Sequence, residues 1–225
     1  MAGQLVQGVV VDFDFAVLDG STLLFEVARK VLGDAGVDLD IKLEAMHLVG
    51  GNYQGGIAEL FESVGVAGDA AKCAHEVADG FRESLVKELA EKGIPDGFKA
   101  FAKAIAAKGA RVVLDSRIPD EVLKEALGDL AGDFVVPYHE TSVTYGGSKW
   151  DAWKRAARAN KLVNILTAIV AGSGHGVKAA IIAGYSSVAF IRPRVAYQDF
   201  GGADLVIKSF DAKSAAQVLN LIHIS

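Results

Sequence analysis

An α/β fold, built on a doubly wound and mainly parallel sheet with an all-helical segment inserted near its start, is what the sequence predicts. Three observations carry that expectation. Short runs of Val, Ile and Leu recur along the chain, most of them rich in β-branched residues. Amphipathic stretches of helical length separate them. From Thr22 to Leu89 the alternation stops and only helical patterns remain. Continuous apolar runs suit strands buried on both faces, as in a parallel sheet. Strands alternating with helices imply right-handed crossovers.

In order, Leu5–Val11 reads as a buried strand ending at Asp12. Helical patterns follow at Leu23–Leu32, Ile41–Leu48, Ile57–Val64 and Ala70–Leu89, with a turn cluster, Gly50-Gly51-Asn52-Tyr53-Gln54-Gly55-Gly56, among them. The division expected is residues 1–20 and 90–225 as the α/β core and 21–89 as the helical insertion. Phe98–Lys108 places Phe101, Ile105 and Ala106 inside and Lys99, Lys103 and Lys108 outside. Arg111–Leu114 is the second strand, ending at Asp115. Pro119–Leu130 opens with Pro, then Asp120 and Glu121, which suit the positive end of a helix. Asp133–Val136 is the third strand. Helices at Trp150–Leu162 and Val177–Ala183 flank the fourth strand, Ile165–Ala171, whose Leu166, Thr167 and Ala168 also suit a helix. Ser187–Ile191 and Ala203–Ile207 complete the set.

A chain of 225 residues with 51% hydrophobic content buries a core without disulfide or metal staples and is not mainly disordered. Its 23 basic against 28 acidic residues leave a net charge of −5, which offers no basic face for nucleic acid. The single cysteine, Cys73, excludes an internal disulfide framework and fits a reducing compartment. Met1–Val11 has no basic leader, and Asp12 and Asp14 cut its apolar run short. The longest stretch without Asp, Glu, Lys or Arg, Leu162–Val177, falls short of the ~20 residues a spanning helix needs. The expectation is a cytoplasmic protein with neither a membrane nor a nucleic-acid partner; oligomeric state stays open.

The chemistry concentrates after the first strand, in Val11-Asp12-Phe13-Asp14-Phe15-Ala16-Val17-Leu18-Asp19-Gly20. Two carboxylates at i and i+2 leave the carboxyl end of a parallel strand, the edge where open α/β sheets bind ligands. One carboxylate there can attack phosphorus while its neighbour moves the proton. A polar turn is the bland alternative.

A hydrophobic strand, Asp-x-Asp, an apolar pair and then Asp19 resembles the first motif of the haloacid dehalogenase-like (HAD) superfamily, Asp-x-Asp-Gly-Thr-Leu-x-Asp. The resemblance extends over nearly the whole chain. It implies a Rossmann-like core and makes the insertion a helical cap of the phosphoglycolate phosphatase and β-phosphoglucomutase kind. By resemblance Asp12 is the nucleophile and Asp14 the general acid/base. Pro95-Asp96-Gly97-Phe98 is similar to the turn before the second motif, a strand ending in Ser or Thr. Here that strand ends Leu114-Asp115-Ser116-Arg117; Asp115 takes the hydroxyl's position, and a shift of one residue makes Ser116 the phosphate-binding hydroxyl. Gly146-Gly147-Ser148-Lys149-Trp150-Asp151 resembles the third motif, with Lys149 as the phosphate-side cation.

The departures are specific. Phe15 and Ala16 replace the motif's Gly and Thr, and a bulky Phe15 intrudes on the phosphate site. The fourth motif, Gly-Asp-x-x-x-Asp, has Gly172 and Gly176 where its acids belong. In the family those acids hold Mg²⁺ together with the first Asp and a main-chain carbonyl, here those of Asp12 and Asp14. Mg²⁺ wants oxygen ligands including carboxylates, so the resemblance implies Mg²⁺ but the substitutions weaken the site. Asp115 is a candidate replacement ligand. No organic cofactor is expected.

Gly172-Ser173-Gly174-His175-Gly176 lies between a strand and a helix. It reads either as a metal-free anion site with Ser173 and His175 or as a tight turn with packing glycines. Walker A and dinucleotide spacings both fail. Arg192 lies on the same sheet edge, and His47 and Tyr53 lie in the insertion, where relatives meet substrate. The residues therefore suggest phosphomonoester hydrolysis through an aspartyl-phosphate on Asp12, with a small phosphorylated metabolite as partner. The alternatives are a catalytically silent binder of a phosphorylated ligand or protein, and, last, a metal-independent dehalogenase.

Overall fold

The computed structural model describes residues 6–48, 52–139 and 148–222. Leu5, Gly50, Gly51, Gly146 and Gly147, singled out above, lie outside the described residues. Six strands form one sheet: β1 (Val6–Asp12), β2 (Arg111–Ser116), β3 (Val135–His139), β4 (Leu162–Ala171), β5 (Ser186–Phe190) and β6 (Leu205–Ile207). Their order is β3-β2-β1-β4-β5-β6 and every pairing is parallel. The order reverses beside β1, which makes the carboxyl edge of β1 the switch point where such sheets bind ligands.

Both faces of the sheet are buried, as the apolar runs require. Val9, Val11, Leu114 and Val170 face α5 (Asp96–Ala106), α6 (Asp120–Leu127) and α9 (Ala212–Ile222). Val10, Val113 and Ile169 face α7 (Lys149–Ala159) and α8 (Gly174–Ala183). Between β1 and α5 the chain forms four further α-helices: α1 (Gly20–Asp34), α2 (Ile41–His47), α3 (Tyr53–Val64) and α4 (Ala70–Lys92). Their ends follow local chemistry. Asp40, Asn52 and Asp69 each accept from a backbone N–H three residues on, at 2.8, 3.1 and 3.0 Å. Gly65 ends α3 in the left-handed conformation. Leu24 and Leu32 of α1, Ile57 and Leu60 of α3, and Val77, Phe81 and Leu85 of α4 form their shared interior.

All six expected strands are present, with two adjustments around β4. It starts at Leu162, three residues before the apolar run, because α7 stops at Ala159 and Lys161 turns the chain at positive φ. α8 begins at Gly174, not Val177, because the Ser173 hydroxyl accepts from Gly176 N and caps it. Two elements were not expected: α9, and a π-helical turn over Phe13–Val17. Among the described residues no helix is long and apolar enough to cross a membrane.

Candidate active site

Asp12 is the last residue of β1 and pairs in register with Asp115 of β2. The π-helical turn then carries Asp14 inward, closed by Leu18 N donating to Phe13 O at 3.0 Å. β2 delivers Asp115, Ser116 and Arg117 to the same edge, and Lys149 opens α7 opposite them. All of these side chains are buried. Lys149 Nζ donates to Asp12 Oδ1 at 2.8 Å. Asp14 Oδ1 accepts from the Ser116 hydroxyl at 2.6 Å, and Oδ2 accepts from Arg117 N and Arg117 Nη1, each at 3.0 Å. Two acids and two bases are thus buried as neutral pairs, the condition under which buried ions are tolerated. Asp12 Oδ2 has no hydrogen-bond partner. Burial works against the Arg117 charge, but Tyr53, Asp14 and Asp12 outweigh it and hold the guanidinium above its ordinary range.

Phe15 fills the centre of the cluster. Its ring centroid lies 5.3 Å from Lys149 Nζ and 5.7 Å from the Arg117 guanidinium carbon, and 5.6 Å from the Phe81 ring on α4. Trp153 of α7 is fully buried under Lys149 and donates Nε1 to Asp115 Oδ2 at 3.0 Å. Asp115, expected as a phosphate or metal contact, therefore positions the indole beneath Lys149.

The structure brings Asp12, Asp14, Asp115, Ser116 and Lys149 together. Tyr53 is close enough that Arg117, Asp14 and Asp12 all act on it; burial, the largest influence, raises its phenol above the ordinary value. Its hydroxyl is buried without a partner. Four other candidates lie outside this hydrogen-bonded cluster. Ser173 caps α8. Arg192 Nη2 donates to the carbonyls of Ala16 and Val17 at 3.1 and 2.8 Å, fixing the π-helical turn. His47 lies 3.8 Å from Glu59. His175 lines a separate cleft of about 410 Å³ with Met46, Lys178 and Tyr197. Although that residue is exposed overall, packing around its ring and then the Lys149 charge hold it below the ordinary histidine range.

Arg117 is the site residue that sequence reasoning missed; it was visible as the basic residue directly after Ser116. A second missed contact is Arg194 Nη2 to Glu44 Oε2 at 2.8 Å, joining the turn after β5 to α2. Burial raises the Glu44 carboxyl above its ordinary value, and Arg194 opposes that.

These residues do not make a divalent-cation site. Among the described residues no three His, Cys, Asp or Glu side chains converge on one point. Lys149 occupies one oxygen of Asp12. The Asp14 carbonyl is packed by Gly20, where a Cβ would come within 2.4 Å of its oxygen. Gly172 has no room for a carboxylate: a Cβ there would lie 2.3 Å from Phe15 C and O and 2.5 Å from Ala16 N.

A parallel α/β core with a carboxylate pair at the edge of β1 and four helices inserted after it has the haloacid dehalogenase-like fold. Three of the similar solved structures illustrate this. β-Phosphoglucomutase from Clostridium difficile superposes with a TM-score of 0.69 at 16% identity, covering 96% of this chain and 97% of that one. CbbY from Rhodobacter sphaeroides in complex with xylulose-(1,5)bisphosphate gives 0.68 at 18% identity, covering 91% and 95%. A HAD family hydrolase from Deinococcus radiodurans with bound phosphate and sodium gives 0.60 at 20% identity, covering 99% and 100%. No protein-family model and no curated protein matches the sequence.

Proposed function

We propose that the chain is a phosphoester hydrolase acting on a phosphorylated small molecule through Asp12, without a divalent cation at that residue. The observation that carries this is the Asp12 carboxylate itself: buried, steadied on one oxygen by Lys149, and with the other oxygen unpartnered. Buried ion pairs add little stability over apolar packing, and an unsatisfied buried acceptor costs about 1–3 kcal/mol. That arrangement suits a nucleophile better than a structural bridge. In the reaction Asp12 Oδ2 forms a bond to phosphorus as the ester P–O bond breaks, and the leaving oxygen takes a proton from Asp14. Water then attacks the aspartyl-phosphate, Asp14 accepts its proton, and phosphate and Asp12 are released. Residues 21–89 act as a cap that opens to admit substrate and closes Phe81 over Phe15. The xylulose-(1,5)bisphosphate bound by one structural neighbour and the phosphate bound by another support this substrate class.

A second reading is favoured by Asp14, which must give up at least one of its three donors before it can protonate a leaving group. On that reading the chain binds a phosphorylated ligand and turns nothing over. Hydrolysis of aryl phosphate in chelator, beside Asp12→Asn, separates the two. Turnover lost in the variant supports the hydrolase. Equal rates, with thermal stabilisation by a phosphorylated ligand, support the binder.

A further inference from the structure

We propose that Arg117 is the phosphoryl-binding cation of this site, releasing Asp14 to engage phosphoryl oxygens when a phosphorylated small molecule enters. This rests on Asp12 as the residue that meets the phosphoryl group. A phosphoryl dianion brought against Asp12 needs positive charge. Lys149 supplies one, already shared with Asp12. Gly172 leaves no space for the carboxylate that would anchor a metal. Arg117 is the other buried cation beside the pair, 3.0 Å from Asp14.

Its geometry suits an anion. The guanidinium carbon lies 5.7 Å from the Phe15 centroid and 5.4 Å from the Phe81 centroid, so two rings from different parts of the fold restrain it. Nη1 is spent on Asp14, whereas Nε is buried and has no partner. Two further unpartnered buried atoms belong to the same neighbourhood, Asp12 Oδ2 and the Tyr53 hydroxyl. A nucleophilic acceptor, a guanidinium N–H and a phenol, each unpartnered, therefore belong to residues within electrostatic reach of one another. A planar guanidinium presents paired donors that match phosphoryl oxygens. Its transfer from Asp14 to the anion also leaves Asp14 with one donor fewer, the state in which it can hold a proton for the leaving oxygen.

The test is calorimetric titration of inorganic phosphate in chelator against wild type, Arg117→Gln, Asp14→Asn and the double variant, each checked for native circular dichroism. Charge-assisted hydrogen bonds of this kind imply that Arg117→Gln weakens phosphate by about tenfold or more. Asp14→Asn removes the anionic competitor and tightens it by a similar factor, and the double variant loses that gain. If Arg117→Gln does not fold, Asp14→Asn decides alone. Wild-type affinity in Arg117→Gln, no tightening in Asp14→Asn, or phosphate binding that requires Mg²⁺ overturns the assignment. Turnover is read separately. Arg117-dependent binding without hydrolysis keeps this inference and ends the hydrolase reading; hydrolysis with phosphate affinity indifferent to Arg117 does the reverse.

Discussion

Gly172→Ala places a single methyl group where the edge of β4 touches the π-helical turn. Its Cβ would stand 2.3 Å from Phe15 C and O and 2.5 Å from Ala16 N. Real Cβ atoms do not come so close, and the opposing atoms are backbone, so the whole turn carrying Asp14 has to move. Overpacking of this kind costs about 1–3 kcal/mol, and rigid backbone on the far side places the cost near the top of that range. For a chain of this size roughly 2–4 °C of melting temperature follows each kcal/mol, which makes the expected drop about 5–10 °C. Gly33→Ala is the internal control: nothing lies within 4 Å of its Cβ position in α1, and removing a helical glycine gains up to about 1 kcal/mol. Differential scanning calorimetry of the two variants reads both signs. A Gly172→Ala protein that melts with wild type refutes the close packing. Gly172→Asp, which restores a family acid, is expected to lose stability without gaining a Mg²⁺-dependent rise in melting temperature; such a rise refutes the argument that the site rejects the metal.

Other substitutions probe the same cluster. Lys149→Met strands Asp12 as a buried charge and costs about 3–5 kcal/mol in urea unfolding, with part recovered in Lys149→Met/Asp12→Asn; equal stability of the single variant and wild type counts against the buried pair. Trp153→Phe removes the donor to Asp115 and costs about 1–3 kcal/mol, read by the same unfolding curve. Asp211 caps α9, accepting from Ser214 N at 2.7 Å while Ser214 Oγ accepts from Asp211 N at 3.0 Å. Bonds from Ser214 N and the Ser209 hydroxyl hold the Asp211 carboxyl below 3.8. The stability it lends is therefore present above pH 3.8 and lost as pH falls through its lower folded value. Asp211→Asn should melt below wild type at neutral pH, with the gap closing in acid; a gap that widens in acid contradicts the sign.

The sheet was legible because its central strands, β1 and β2, are buried on both faces and read as runs of Val and Leu, and the outer strands keep short apolar runs of their own. α9 is legible too: Ala215, Val218, Leu219 and Ile222 repeat at helical spacing and are buried. The π-helical turn is not, because nothing in the composition of Phe13–Val17 marks a wide helical turn, whose backbone packs closely against Gly172, far off in the chain, and Gly20, just after it. Within the site, Asp12, Asp14 and Lys149 were found from their order along the chain. The roles of Asp115 and Ser116 turn on which way consecutive side chains of β2 point, which sequence alone leaves open. Arg117 escaped because a basic residue after a strand is usually solvated, and its partner Asp14 lies about a hundred residues away in sequence; Arg192 was placed on the right edge, but its carbonyl partners Ala16 and Val17 are as remote.

The central claim, that Asp12 is a nucleophile needing no divalent cation, is tested most directly by acid-quenching the protein after brief mixing with an aryl phosphate in chelator. Mass spectrometry of the Asp12 peptide then reads the bond itself. The account predicts a phosphoryl increment on that peptide, formed in chelator and absent from Asp12→Asn. An unmodified peptide under all conditions, or an increment that appears only when Mg²⁺ is supplied, contradicts it.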